Sequence, residues 1–187
     1  DIKFFHTDYY VLNEATQETT PSGINYDEFI PSCELQIIKF FQINYFNGIT
    51  VCIHRSVFDC VGFFKENLRN GQDFDMWLRI SAHYRSQFLR RKTSITRIHP
   101  SSGTSISVEA GIFDSARACV EFLNEHTFSE LFPMLDLQQG DNLSLAIESV
   151  IKIVANPTSF INRCGYAQAL IDRMREWLAS FCPQELK

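Results

Sequence analysis

The clearest hydrophobic pattern in the chain lies between Gln72 and His83, where apolar side chains recur at helical spacing. The predicted inward face consists of Phe74, Trp77, Leu78 and Ser81. Asn70-Gly71 just before the segment is a turn signal, and the segment itself contains no proline. The pattern therefore predicts a helix from about Gln72 to about His83.

Two acids lie at the beginning of this predicted helix. Asp73 and Asp75 fall in its first turn, where the partial positive charge of the exposed backbone amides favours anions. Asp75 and Arg79 stand four residues apart and are predicted to pair on the outer face of the helix. Asp73 has two interpretations: a carboxylate that only stabilises the start of the helix, which is the commoner case, or a functional acid at the mouth of a buried surface.

The segments around this helix show the patterns of a mixed α/β unit. Strands are predicted over residues 1–12 and Ile49–Arg55, and one or two further strands are predicted over Gln87–Leu89 and Thr93–His99. A loop is predicted over Asn13–Gly23, and helices over Cys33–Phe41 and Val57–Val61. Asn47-Gly48 predicts a tight turn, Ser56 is the predicted cap of the short helix, and Gly62 ends it.

The pattern changes to a helical one at about Ser105 and stays helical to Lys187. The three predicted stripes are Ile112, Ala116, Cys119, Val120 and Leu123; then Leu143, Ile147, Val150, Ile151 and Val154; then Tyr166, Leu170, Met174, Trp177 and Leu178. We therefore divide the chain into residues 1–104 and a helical C-terminal extension, 105–187, packed beside the sheet.

Composition narrows the class of protein. The chain has 187 residues, 45% of them hydrophobic and 17 of them phenylalanine, which is enough for a sizeable core. A net charge of −5 without a long basic block argues against nucleic acid as a partner. The short cluster Arg90-Arg91-Lys92 is interpreted as a solvated strand edge, or as a contact for phosphate or an anionic membrane surface.

The cysteines and the hydropathy pattern indicate a cytoplasmic protein. Six cysteines occur without a C-x-x-C pair or zinc spacing, and several lie in apolar runs, so we expect reduced thiols buried as small hydrophobes. The sequence shows neither a signal peptide nor an apolar run of about 18 residues. Peripheral contact with the inner face of the membrane stays open.

The first 105 residues contain a series of motifs whose order is more specific to a protein family than any one of the motifs alone. The motifs are Thr7-Asp8-Tyr9, Asn47-Gly48 with the strand to Arg55, Val57 to Phe64, Gln72 to Arg79, and Arg97-Ile98-His99-Pro100 with Ser102 and Ser105. This series closely resembles the second half of family 2 glycosyltransferases, which are inverting enzymes of the GT-A fold. The resemblance implies the acceptor-side half of a GT-A mixed sheet with helices, followed by the α-helical extension.

The resemblance also implies a catalytic role for Asp73. In the family, the acid of a Glu-Asp pair at the start of the corresponding helix is the general base. It takes the proton from the acceptor hydroxyl while that oxygen attacks the anomeric carbon opposite the leaving nucleotide diphosphate. Asp73 matches this acid, and Gln72, an expected acceptor contact, stands where the family often has Glu.

Four further residues receive a role from the resemblance, each beside a structural alternative. Asn47 and Gly48 match the turn that lines the acceptor pocket, although Asn-Gly is equally a hairpin signal. Trp77 is a candidate floor for a sugar ring, or a core residue in the inward stripe. His99 matches a histidine near the diphosphate or its divalent metal, or is a loop residue before a proline.

The donor half of the family, a βαβ unit ending in a metal-holding Asp-x-Asp, has no counterpart in this chain. We therefore expect the chain to be a piece of a longer enzyme and inactive alone, with Mg²⁺ or Mn²⁺ bound only in the longer protein. The expected partners are a nucleotide-sugar donor and a saccharide or lipid-linked acceptor, as in bacterial cell-surface polysaccharide synthesis. A homo-oligomer formed through the helical extension is a further expectation.

Two other functions compete with this one. The first is a non-catalytic binding or scaffold module derived from a glycosyltransferase, for which Gln72 would be a sign of decay. The second is a metal-dependent hydrolase built from Asp73, Asp75 and His99, which lacks further convergent ligands in the sequence.

Overall fold

A four-stranded mixed sheet organises the first part of the chain. The computed structural model describes residues 2–26, 36–41, 43–127, 130, 148, 151–152, 154–157, 162 and 165–181. The strands are β1 (Phe4–Asn13), β2 (Glu18–Pro21), β3 (Val51–Ile53) and β4 (Ser86–Ile98). β1 is central: β4 runs parallel along one edge, and β3 and then β2 pair antiparallel along the other.

Helices cover the sheet and continue beyond it. They are α1 (Gln36–Phe40), a 3-10 turn (Gly48–Thr50), α2 (Ser56–Val61), α3 (Gln72–His83), α4 (Gly103–Ile106), α5 (Val108–Glu125) and α6 (Ala167–Phe181). α3 contacts α1, α2 and α5, and α5 in turn contacts α6. The mixed α/β class expected from the sequence is thus confirmed, and α3 has the bounds that its apolar periodicity predicts.

Three local predictions need correction. The predicted loop 13–23 contains β2, because Asn13 accepts the backbone N–H of Ala15 in a turn that returns the chain along β1. The predicted strand from Ile49 shortens to Val51–Ile53, because Asn47 caps a 3-10 turn instead of a hairpin. Ser56 is the first residue of α2 and does not cap it by its side chain. Of the one or two strands predicted between Gln87 and His99, the structure has one, β4.

The core lies between the sheet and the helices and crosses the predicted boundary at residue 104. Phe4 of β1 stacks on Trp77 of α3, with ring centroids 5.8 Å apart, and both are fully buried. Cys119, Phe122 and Leu123 of α5 belong to the same hydrophobic cluster. Residues on both sides of this boundary therefore share one hydrophobic core.

Part of the helical prediction lies outside the described residues. Leu143, Ile147 and Val150 of the second predicted stripe are among these residues. The cysteines Cys33, Cys164 and Cys182 also lie outside the described residues. The described cysteines form no disulfide; Cys119 is buried as expected, whereas Cys52 and Cys60 are exposed. None of the helices described here combines the length and apolar character that crossing a bilayer requires.

His6 is a buried polar residue of this core whose ring nitrogens lack hydrogen-bond partners among the described residues. Its side chain is 1% exposed and packs among the rings of Tyr26, Phe46 and Phe88. Neither ring nitrogen has a hydrogen-bond partner in the described part of the chain. Burial lowers the pKa of His6 to about 4, because a charged imidazole would lose its hydration without gaining a partner.

The buried His6 predicts a specific pH dependence of stability. Between about pH 6.5 and pH 4 the unfolded chain takes up a proton at His6 that the folded chain does not, so stability falls as pH falls, by up to about 1.4 kcal/mol per unit. His6→Phe is expected to reduce this slope in urea unfolding at a series of pH values. His83→Phe, at an exposed histidine, is the matched control; equal slopes in the two variants would contradict the assignment.

Candidate functional site

An open cleft of about 500 Å³ lies where α3 begins. One wall is the chain over residues 69–73, and the other is formed by Gly103 of α4 and by residues of α5 and the turn before it. Those residues are Ser107, Val108, Gly111, Ile112 and Ser115. The cleft is thus built from both sides of the predicted division at residue 104.

Asp73 places a carboxylate in this cleft. Its Oδ1 accepts the backbone N–H of Phe74 at 2.7 Å, so the side chain satisfies one of the amides left unpaired at the start of α3. Its Oδ2 makes no hydrogen bond within the described part of the chain, and the residue is half-buried. The helix-start interpretation of Asp73 therefore agrees with the structure, and its role as a functional acid stays a prediction for a residue that lines the cleft.

Gly71 holds the first turn of α3 against α5. It has φ +70°, and a Cβ added there would lie 2.7 Å from Ser115 Oγ and 3.0 Å from its backbone nitrogen. The adjacent amide of Asn70 donates to Asp114 Oδ2 at 3.1 Å. Only glycine fits a left-handed backbone at so close an approach, so this contact fixes the spacing of the two walls near Asp73.

Asp75 is in a different environment from Asp73. It is 3% exposed, and it pairs with Arg79 at 2.7 Å and with Lys65 at 2.9 Å. The predicted pairing with Arg79 is confirmed, but its predicted place on the outer face is wrong. The segment before α3 folds over this face, and the Arg79 guanidinium also donates to the carbonyls of Val61 and Phe63.

Lys65 extends this buried cluster to α5. Its ammonium lies 3.6 Å from Glu121 Oε2 as well as beside Asp75. Burial lowers the pKa of Lys65, but the Asp75 carboxylate, with Glu125 and Glu121, more than offsets this and leaves the pKa above its usual value. Asp75 is therefore a structural anion that joins the loop before α3, α3 itself and α5.

Among the expected acceptor contacts, only Gln72 accompanies Asp73 in the cleft, where its side chain is exposed. Asn47 caps the 3-10 turn, with Oδ1 accepting from Ile49 N at 3.2 Å and Nδ2 donating to Thr96 Oγ1 at 2.9 Å. Gly48 is exposed beside it. The hydrogen bond to Thr96 joins the Asn-Gly turn to the end of β4. Neither residue of the turn is among the described residues that line the cleft of Asp73.

The remaining two predicted residues lie elsewhere. Trp77 is 2% exposed and packs on Phe4 and Phe46, which agrees with the core alternative and leaves no face open to a sugar ring. His99 follows β4 and its Nδ1 lies 2.9 Å from Ser101 Oγ. Among the described residues, no three His, Cys, Asp or Glu side chains gather to hold a metal ion, so a divalent metal does not fit these residues alone.

Sequence reasoning missed Arg69 and the wall contributed by α5. Arg69 adds a cation to the cleft, and its place just before the turn into α3 was the one available signal. Ser107 and Ser115 carried no such signal, because their positions depend on how α5 packs against α3. Together the cleft offers a carboxylate, an amide, a guanidinium and hydroxyls, which are groups that bind a polyhydroxylated molecule.

The approach of Gly71 to α5 predicts a large loss of stability on substitution. Gly71→Ala is expected to lose about 1–2 kcal/mol for the left-handed backbone and about 1–3 kcal/mol more for overpacking against Ser115. Gly23→Ala is the matched control, because Gly23 has φ +77° but open space around its Cβ position. Urea unfolding measures both; equal losses would show that the contact with α5 is not constraining.

The two acids of α3 are predicted to differ in their contribution to folding. Asp75→Asn removes the anion from a buried cluster of two cations and is expected to cost about 3 kcal/mol, the low end for a buried pair because Lys65 is 30% exposed. Asp73→Asn is the same chemical change two residues away and is expected to cost less than about 1 kcal/mol. Comparable losses in chemical denaturation would contradict this division.

Comparison of the chain with protein-family profiles, with curated proteins and with solved structures gives no significant match. The case for a function therefore depends on the motifs of the sequence and on the cleft at Asp73.

Proposed function

We propose that this chain is the acceptor-side part of an inverting glycosyltransferase and that Asp73 is its general base. The observation that carries the proposal is the placement of Asp73, with an oxygen available in an open cleft, while the neighbouring acid Asp75 is buried and paired. The series of motifs that resembles family 2 glycosyltransferases supports the same assignment.

The proposed step needs one free carboxylate and room for a sugar. A sugar hydroxyl is a weak nucleophile, and a positioned general base accelerates its attack by about 10²–10⁴-fold. Asp73 Oδ2 takes the hydroxyl proton while the hydroxyl oxygen forms a bond to the anomeric carbon of the donor sugar. The bond from that carbon to the phosphate oxygen breaks, and the nucleotide diphosphate leaves with the electron pair, which inverts the configuration.

The surroundings of Asp73 suit this role. The hydrogen bond from Phe74 N holds Oδ1, so the orientation of the carboxylate at the start of α3 is fixed. Gln72 and Arg69 lie on the same wall and can hydrogen-bond the hydroxyls of an acceptor. We assign the donor nucleotide and any Mg²⁺ or Mn²⁺ to the other half that the resemblance implies, and no step above passes through a metal.

The test of this function uses Asp73→Asn in the protein that carries this chain with its donor-binding half. Uridine and guanosine diphosphate sugars are supplied with Mg²⁺ or Mn²⁺ and a panel of saccharide acceptors, and release of the nucleotide diphosphate is measured. Donor and acceptor binding should persist, whereas kcat should fall by about 10²–10⁴-fold, because only proton removal is lost. Asp59→Asn, an exposed acid on α2, is the control and should keep normal activity.

Two outcomes would contradict the proposal. Near-normal transfer by Asp73→Asn would remove Asp73 from the role of base. Failure of the protein with its donor-binding half to bind any nucleotide sugar would favour the alternative of a non-catalytic binding module. The hydrolase alternative is disfavoured already, since it requires Asp75 as a metal ligand and the paired Asp75 is 3% exposed.

A further inference from the structure

A second cavity, separate from the cleft of Asp73, lies on the sheet beside the middle of β1 and β4. Its volume is about 250 Å³, and it shares no lining residue with the first cleft. Its lining consists of Asp8, Ile24, Asn25, Tyr26, Phe88, Arg90, Arg91 and Lys92. Nothing in the proposed transfer reaction uses these residues.

An irregularity in β4 brings consecutive cations to this cavity. In the parallel ladder, Thr7 pairs with Leu89, but the next residue of β1, Asp8, pairs with Lys92. Arg90 and Arg91 are therefore extra residues that bulge out of the ladder. Neighbouring side chains of a regular strand point to opposite faces, whereas a bulge redirects them, which explains how three successive basic residues line one cavity.

The only carboxylate among the described lining residues is already satisfied. Asp8 lies 2.8 Å from Lys92, and it accepts hydrogen bonds from the hydroxyl of Ser22 and the amide of Tyr9, each at 2.7 Å. Burial raises the pKa of Asp8, but these three donors outweigh it and hold the pKa below its usual value. Beside this ion pair of Asp8 and Lys92, Arg90 and Arg91 add two further cations to the cavity, in a chain whose net charge is −5.

An aromatic wall and a buried donor complete the cavity. Tyr26 stacks on Phe88, with centroids 4.3 Å apart and planes within 17°. Tyr26 is 4% exposed, and its hydroxyl has no hydrogen-bond partner in the part of the chain that the structure describes. A buried hydroxyl without a partner is costly, so a ligand that accepts its hydrogen bond would recover this energy.

We propose that this cavity binds the phosphate group of a phosphorylated ligand through Arg91, Lys92 and the hydroxyl of Tyr26. Guanidinium and ammonium groups form charge-assisted hydrogen bonds with phosphate oxygens, and arginine does so in a bidentate manner. The volume suits a phosphoryl group and the atoms next to it rather than a whole nucleotide. The phosphate can belong to a soluble molecule or to a lipid headgroup, and the two sources are separated by experiment.

The first experiment titrates the ¹⁵N-labelled chain with inorganic phosphate at constant ionic strength. Saturable shifts are expected at the amides of Asp8, Tyr26 and Arg91. Arg91→Gln should weaken the apparent Kd about tenfold, because it removes a charge-assisted contact. Arg85→Gln, the same loss of charge at an exposed residue outside the cavity, should change it less than about twofold, because salt screens distant charges.

A second variant and a second probe make the result specific. Tyr26→Phe removes only the hydroxyl and should also weaken phosphate binding, while Asp73→Asn should leave it unchanged. This proposal and the transferase proposal can therefore fail independently.

Sedimentation with phosphatidylcholine vesicles, with and without phosphatidic acid, identifies the source of the phosphate group. Binding to the acidic vesicles that Arg91→Gln abolishes indicates a lipid headgroup, and phosphate binding without vesicle binding indicates a soluble ligand.

Two results would overturn the proposal. One is the absence of saturable phosphate shifts in the unmodified chain. The other is equal weakening by Arg91→Gln and Arg85→Gln, which would show a diffuse effect of charge and not a site.

Discussion

The close approach of Gly71 to Ser115 is the constraint on which the candidate site depends. At this point the turn before α3 has a left-handed backbone and lies against the backbone of α5 with no room for a side chain. The amide of Asn70 is held by Asp114 one residue earlier. These contacts set the separation of the cleft's walls, and they place Asp73 at the opening because it follows Gly71 by two residues on a rigid helix.

Within α3, two acids of the same type have opposite environments. Asp75 is enclosed by Arg79 and Lys65, and through these cations it connects the loop before α3 with α5. Burying a charge is unfavourable without partners, so the three groups depend on one another. Asp73 accepts a backbone amide with one oxygen and lines the cleft. The support that Asp75 gives to the helix keeps Asp73 in place without engaging it.

The sheet likewise has one set of side chains that packs in the core and another that lines a cavity. β1 turns Phe4 and His6 into the core, while the bulge opposite Asp8 turns basic side chains of β4 to a cavity. The donors around Asp8 keep the pKa of that acid low, and Asp8 raises the pKa of Lys92, so this ion pair of the cavity stays charged over a wide pH range. Two regions of distinct chemistry, one of mixed polar groups at α3 and one basic at β4, thus share one core.

The sequence by itself determined the elements whose signals are local. The bounds of α3, the end of α2 at Gly62 and the mixed α/β class follow from apolar periodicity and turn residues that act over a few positions. The positions of Gln72 and Asp73 in the first turn of α3 follow from the same pattern, and these two residues are the part of the candidate site that could be predicted.

Tertiary structure alone decided which of these residues come together. The burial of Asp75 depends on the loop that folds over α3, and the second wall of the cleft depends on α5, which lies beyond the predicted boundary at residue 104. The bulge at Arg90 and Arg91 arises from pairing with β1, about eighty residues earlier in the chain. Such contacts join residues that are distant in sequence, and no local periodicity records them, because their geometry is set by packing between elements.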